Sequence, residues 1–224
     1  FIASEIDELK DYSVPLKFIR LTYRDLTDRV IEVLKQDKSV IVILSTHHRN
    51  GIAAERAAMH HLLAAGCDVP VILHRDYRET DIEALQLKAA VDFGTLLLDG
   101  FGDGIMLHNE RCETMVTDSC MFDILQATRT RISKTEYISC PSCGRTLYDL
   151  QTTIARIKKA TSHLKGLKIG IMGCIVNGPG EMADADYGYV GAGKNRISLY
   201  KGKECVLKNI PEEEAVERLV QLIK

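Results

Sequence analysis

The chain has no tryptophan and five prolines, and aromatic residues make up 6% of it. Proline is too scarce for a collagen-like or low-complexity chain. No run approaches the roughly eighteen uninterrupted apolar residues of a membrane-spanning helix, so no membrane segment is expected. Neither sign of charge dominates. With 29 basic and 31 acidic residues the formal net charge is -2, so the overall basic footprint of a nucleic-acid binder is missing. The opening residues 1–10 lack both the cationic start and the apolar core of a signal peptide. They also lack an initiator Met, and the chain reads as a processed or truncated piece of something longer. What is present is ordinary for a soluble globular protein: 46% apolar and 27% charged over 224 residues, room for one large domain or two modest ones.

Cysteine breaks the ordinary pattern. Seven occur, at Cys67, Cys112, Cys120, Cys140, Cys143, Cys174 and Cys205. An odd count without a secretory signal argues against a disulfide framework and for a reducing, cytoplasmic compartment. Cys67, Cys112, Cys120 and Cys205 sit among apolar or ordinary surface neighbours and read as small buried hydrophobes. Cys140 and Cys143 form a C-x-x-C, and Cys174 adjoins a Gly/Pro turn.

The first part of the chain alternates strand and helix patterns. Strands are expected at residues 16–21, 39–44, 69–73, 95–98 and 105–107. Helices are expected from the capping box Thr22–Asp25, from about Ile52 to a stop at Gly66, from Thr80 to a stop at Gly94, and over residues 117–128. Such units imply a parallel sheet, barrel-like or doubly wound. Beyond Arg131 the pattern changes. A strand at residues 136–139 runs into the C-x-x-C. An amphipathic helix carrying Leu147, Leu150, Ile154, Ile157 and Leu164 follows, then a strand at residues 167–172 that ends at Gly173-Cys174. Residues 175–181 are too turn-rich for regular structure. A hairpin about residues 201–203 leads to a C-terminal helix opened by Pro211, with Val216, Leu219, Val220 and Ile223 facing inward. Two domains follow, 1–131 and 132–224.

Two thiols three apart at a strand-to-helix transition can share a metal centre, and a helix N-terminus favours thiolate. Alone, the pair fits a dithiol oxidoreductase, half a zinc site or half an iron–sulfur site. Cys174, at the end of another strand, shifts the weight. If the two strands are parallel neighbours, all three sulfurs converge at one edge. The nearest plausible fourth ligand is Glu181, although a solvated loop carboxylate is the ordinary reading of such a residue. Three thiolates with one exchangeable carboxylate suit catalysis at iron more than pure electron transfer.

Three segments carry a resemblance: Cys140-Pro141-Ser142-Cys143-Gly144-Arg145, then Gly173-Cys174-Ile175-Val176-Asn177-Gly178-Pro179-Gly180-Glu181, then Ala185-Asp186-Tyr187-Gly188-Tyr189-Val190-Gly191. Together they closely resemble the 4-hydroxy-3-methylbut-2-enyl diphosphate synthases, iron–sulfur enzymes of non-mevalonate isoprenoid biosynthesis. The likeness runs from about Leu96 to the C-terminus. Residues 1–95 look like part of the inserted middle domain of the longer, three-domain form. The resemblance implies a partial, barrel-like β/α insert domain over 1–131. It implies an α+β domain over 132–224 similar to the cluster domains of sulfite and nitrite reductases. It implies a 4Fe-4S cluster held by Cys140, Cys143, Cys174 and Glu181, with Glu181 also the catalytic residue. It further implies a cyclic diphosphate substrate bound mainly by a barrel domain not in this chain, flavodoxin or ferredoxin as electron donor, and a homodimer. A metal-bearing interaction module or a C-x-x-C oxidoreductase is the alternative.

Other segments carry weaker signals. His47-His48-Arg49-Asn50-Gly51 follows a buried strand and opens a helix, a place where α/β folds put anionic ligands; an idle loop is an equal reading. Gly100–Gly104 resembles a phosphate loop only by its glycines. His60 and His61 read as a packed or solvated pair. Arg129, Arg131 and Lys134 read as surface, or as a contact for an acidic electron donor.

Overall fold

The structure is a computed structural model that describes residues 1–224 except Pro141 and Leu147. The chain divides into two compact units, Phe1–Arg131 and Ile132–Lys224.

The first unit carries four parallel strands: β1 (Lys17–Leu21), β2 (Val40–Ser45), β3 (Val71–Asp76) and β4 (Gly104–His108). They lie in sequential order with no reversal, so the unit lacks the switch point of a doubly wound sheet. The connections are α1 (Asp28–Gln36), α2 (Gly51–Ala64) and α3 (Ile82–Leu98), and α4 (Thr114–Ala127) follows β4. Alternate strand residues Ile19, Leu21, Val40, Val42, Leu44, Val71 and Leu73 are buried in one core with Val30, Leu34, Leu62, Leu85, Phe93 and Ile124 of the helices. Parallel strands need long crossovers, and right-handed crossovers in sequential order put all helices on one face. The opposite face is less covered: Phe18 and Met106 stay 44% and 40% exposed.

Three expectations change here. The capping box at Thr22–Asp25 forms, but it closes a three-residue 3-10 turn. Thr27 caps α1, accepting from the Val30 N–H. Gly94 does not stop α3. Its backbone is helical, and a Cβ built there would meet Thr128, just past α4, at an ordinary 3.9 Å. The helix runs on to Leu98, so residues 95–98 are helix rather than strand, and the stop comes at Gly100, whose φ of +82° suits a left-handed C-terminal cap. Finally, α4 begins at Thr114, ahead of Thr117.

The second unit is a mixed sheet of β5 (Glu136–Ser139), β6 (Lys168–Met172), β7 (Tyr187–Gly193), β8 (Arg196–Lys201) and β9 (Glu204–Pro211), in that order. The first three strands run parallel and the last two pairings are antiparallel. The helices are α5 (Leu150–Thr161), the single turn α6 (Gly178–Glu181) and α7 (Glu212–Ile223). Ile157, Ile169, Ile171, Tyr189, Ile197, Leu199, Ala215 and Leu219 form the core. The hairpin β8–β9 and the helix after Pro211 lie where the pattern puts them. The turn at 178–181 is more regular than its composition suggests, and β7 occupies the Tyr187–Gly191 motif, which carried no strand expectation.

Candidate metal centre

Because β5 and β6 are parallel neighbours, with Ser139 opposite Ile171, their carboxyl ends open on the same edge. Cys140 follows β5 directly, and Cys174 lies two residues beyond β6. From Cys174 the chain turns tightly: the Gly178 N–H donates to the Cys174 carbonyl at 3.2 Å, and the Glu181 N–H to the Asn177 carbonyl at 3.0 Å. Met182, 1% exposed, anchors the far end of that turn. It packs where side chains on Gly170 and Gly188 would stand; a Cβ at either would lie 2.7 or 2.4 Å from it. The result is one cavity of about 200 Å³ lined by Cys140, Cys143, Cys174 and Glu181, with Arg145 and Asn177 among its other walls. All four residues singled out from the sequence therefore meet.

The electrostatics differ from the sequence expectation in one respect. The C-x-x-C does not sit on a helix N-terminus, because α5 starts at Leu150 and is capped by Asp149. Leu147, expected on that helix, lies outside the described residues. Cys143 is still acidified. Its thiol is held below the usual range first by a hydrogen bond from the Arg145 backbone N–H and next by the Arg145 guanidinium. That guanidinium is kept protonated chiefly by its bond to Cys143, then by the charges of Cys143, Cys174 and Glu181. Burial pushes the thiols of Cys67 and Cys120 the other way.

Hydrogen bonds hold the ligand loops. The Gly173 N–H donates to Cys140 Sγ at 3.2 Å. Thr146 Oγ1 accepts from the Cys143 N–H at 3.1 Å and from Ser142 Oγ at 3.2 Å. Tyr148 Oη donates to the Met172 carbonyl at 3.0 Å, and its ring meets Tyr189 edge-on. Two glycines make this closeness possible. A Cβ on Gly173 would fall 2.5 Å from Thr146 Oγ1, and one on Gly191 would fall 2.3 Å from the Gly173 carbonyl oxygen. Arg145, Thr146 and Met182 had no role in the sequence reading. The signal for Arg145 was its place directly after the C-x-x-C-G.

The donor set is thiolate-rich, and one of its sulfurs already accepts a backbone N–H, as sulfurs of iron–sulfur proteins do. Among the described residues, no three His, Cys, Asp or Glu side chains stand close enough to share a single metal ion.

Residues 136–224 match the family described as the GcpE protein C-terminal domain. A Parabacteroides distasonis protein named 4-hydroxy-3-methylbut-2-en-1-yl diphosphate synthase (flavodoxin) is 84% identical over the whole chain. The chain belongs to this synthase family. A protein of the same name from Bacteroides thetaiotaomicron is 58% identical over the whole chain, and one from Chlorobaculum tepidum 58% identical over 73% of it. The chain spans 37% of the length of the first two relatives and matches a C-terminal portion of the synthases.

Some of the remaining sequence candidates have structural roles. His60 packs edge-on against Phe101 and His61 against Tyr23. In the Gly100–Gly104 turn, Asp103 accepts the Val71 N–H at 2.8 Å and Gly102 backs onto Leu73, so the turn is a strand connection. Cys112 receives the Asn109 side-chain amide at 3.4 Å. Among the described residues, no helix is long and apolar enough to cross a membrane.

Proposed function

We propose that the chain is the cluster-bearing portion of an isoprenoid-pathway reductase. The whole enzyme would convert 2-C-methyl-D-erythritol 2,4-cyclodiphosphate to 4-hydroxy-3-methylbut-2-enyl diphosphate, taking up two electrons, opening the ring and releasing water. The observation that carries this reading is the convergence of Cys140, Cys143, Cys174 and Glu181 on one cavity at a sheet edge. A 4Fe-4S group, when bound, supplies one-electron transfer and a Lewis-acidic iron.

Three thiolates with one carboxylate are an unusual set for structural zinc and fit an iron–sulfur group. In this reading Cys140, Cys143 and Cys174 hold the group. Glu181 would be the fourth, exchangeable ligand. Its turn is anchored by Met182 in the core, which would keep the carboxylate beside the site. Arg145 balances the negative charge that three thiolates and a carboxylate gather there. The relatives' names specify flavodoxin, which supports flavodoxin, or the similar ferredoxin, as electron donor. Residues 1–131 would be part of a barrel-like insert domain, and residues 132–224 a domain akin to those of sulfite and nitrite reductases. The protein would be cytoplasmic and homodimeric. The diphosphate contacts are assigned mainly to a barrel outside this chain, so the chain alone should not turn the substrate over.

Anaerobic reconstitution followed by iron and sulfide counting tests the reading. About four irons with equal sulfide per chain are expected. One zinc would favour a zinc-bearing module, and no metal with reversible Cys140–Cys143 oxidation would favour a dithiol oxidoreductase.

A further inference from the structure

Arginine is unevenly partnered in the first unit. Arg29 pairs with Asp7, Arg56 with Asp99 and Arg75 with Glu55. Arg24, Arg49, Arg78 and Arg111 form no ion pair among the described residues. These four share one position in the fold: each follows the carboxyl end of a strand, Arg24 after β1, Arg49 after β2, Arg78 after β3 and Arg111 after β4. A parallel sheet points all its carboxyl ends the same way, so the sequence spreads these residues out and the topology gathers them on one edge.

That edge is concave. One cavity of about 330 Å³ is lined by Thr22, Tyr23, Arg24, Thr46, His47 and His48. A second, of about 470 Å³, is lined by His47, Asp76, Arg78, His108, Glu110 and Arg111. His47 belongs to both, so they adjoin. Each is of the size that takes a small ligand. The second holds two carboxylates, and Asp76 is already engaged, with His108 Nδ1 at 3.0 Å from its Oδ1 and His74 Nε2 at 3.7 Å. In the loop of the first, His48 Nδ1 lies 3.1 Å from both the backbone nitrogen and the carbonyl oxygen of Asn50, which ties the imidazole into the turn. Asn50 caps α2 through the Ala53 N–H, and the N–H groups of the first turn face the same edge with the positive end of the helix. The three guanidiniums in the cavity walls outnumber the two carboxylates there, and the surplus positive charge favours an anion. A guanidinium fork matches phosphate oxygens in pairs, which an ammonium does not.

We infer that the carboxyl edge of the β1–β4 sheet binds a small phosphorylated anion of the diphosphate class, clamped by Arg24, Arg78 and Arg111. Spacing favours a diphosphate over a monophosphate, because the guanidiniums come from different strands and lie across two adjoining cavities. The site lies within the first unit and is independent of the cluster reading.

Isothermal titration of the 224-residue chain with inorganic pyrophosphate tests this. Binding is expected, tighter than that of inorganic phosphate and weakening as salt rises. Arg78→Ala and Arg111→Ala should each weaken it by about tenfold or more, the loss of a charged hydrogen bond. The melting temperature of Arg78→Ala should hold, because its side chain has no ion pair to lose, whereas Arg111→Ala also gives up the bond from Arg111 Nη1 to the Arg78 carbonyl at 3.2 Å and is read beside Arg78→Ala. Arg56→Ala, at an arginine paired with Asp99 just past the C-terminal end of α3, should bind as the parent does. No binding of pyrophosphate by the parent overturns the inference, as does an equal loss in Arg56→Ala. Equal affinity for phosphate overturns the diphosphate class. If Arg78→Ala and Arg111→Ala leave pyrophosphate binding intact but abolish binding of flavodoxin, the edge is a protein-docking surface and the inference fails.

Discussion

The backbone N–H of Gly173 points at the sulfur of Cys140, 3.2 Å away, across the gap between two parallel strands. This one bond ties the loop after β6 to the loop after β5. Gly173 can make it only because a side chain there would collide with Thr146, which in turn holds Cys143. The ligand loops are therefore coupled through small residues, and substitution at a position that is not itself a ligand should disturb all of them. Gly173→Ala is expected to lower iron uptake on anaerobic reconstitution, with a loss of stability of about 1–3 kcal/mol from overpacking. Full iron content in Gly173→Ala would remove the coupling.

Single replacement of Cys140, Cys143 or Cys174 by Ser should abolish most of the broad sulfur-to-iron absorption, since a hydroxyl is a harder and weaker ligand for iron in such a site. Cys205→Ser should keep it, because Cys205 sits on β9, outside the cavity. Retention in all three ligand variants would refute the assignment.

Glu181→Ala should keep most of the colour, because three thiolates suffice to hold a cubane. Glu181→Cys should bind iron at least as well. Met182→Ala should behave differently from both. It empties a fully packed site beside Gly170 and Gly188, at about 2–5 kcal/mol, and releases the anchor of the turn. Chemical denaturation with iron counting separates these cases; a Met182→Ala protein as stable as the parent would deny the anchoring role.

In metal-free protein, Cys143 should be alkylated faster than Cys67 or Cys120 at neutral pH. It is exposed and acidified by Arg145, whereas the other two are buried with raised pKa values. Arg145→Gln should slow Cys143 while sparing part of the effect, since the backbone N–H remains. Mass-spectrometric mapping of a timed iodoacetamide reaction decides it, and equal rates at the three thiols would contradict the site electrostatics.

A pH effect is expected in the first unit. Glu55 is 1% exposed, and burial pushes its carboxyl up to about 7 although an Arg75 nitrogen stands 2.9 Å away. Desolvation outweighs the attraction of Arg75, and the charge of Asp92 adds to the upward push. A carboxyl with a raised folded-state pKa binds its proton more tightly when folded. Its contribution is therefore full below about 4.5 and is lost as pH rises through about 7, a change of about 3 kcal/mol. His74, whose burial lowers its pKa, acts in the opposite sense. The readout is therefore the difference between the parent and Glu55→Gln. The parent should lose stability relative to the variant between pH 5 and 8, and a constant difference across that range would count against the shift.

Local chemistry decided much of this protein before any folding was considered. The β-branched run at residues 39–44 has to be a buried strand, and the acidic start after Pro211 has to open a helix. The C-x-x-C and the Gly-Cys…Gly-Pro-Gly-Glu segment carry their donors in short-range order. Other features depend on partners distant in sequence. Gly94 looks like a helix stop, yet it continues the helix, because a glycine cap needs a positive φ, which Gly100 has and Gly94 does not. No local rule says that β5 and β6 are neighbours, and only that pairing brings Cys140 and Cys174 together. The same holds for the arginines after β1 to β4, which are far apart along the chain and meet only because parallel strands send every carboxyl end to one edge. Periodicity and turn chemistry act over a few residues, whereas convergence of side chains is a property of strand order.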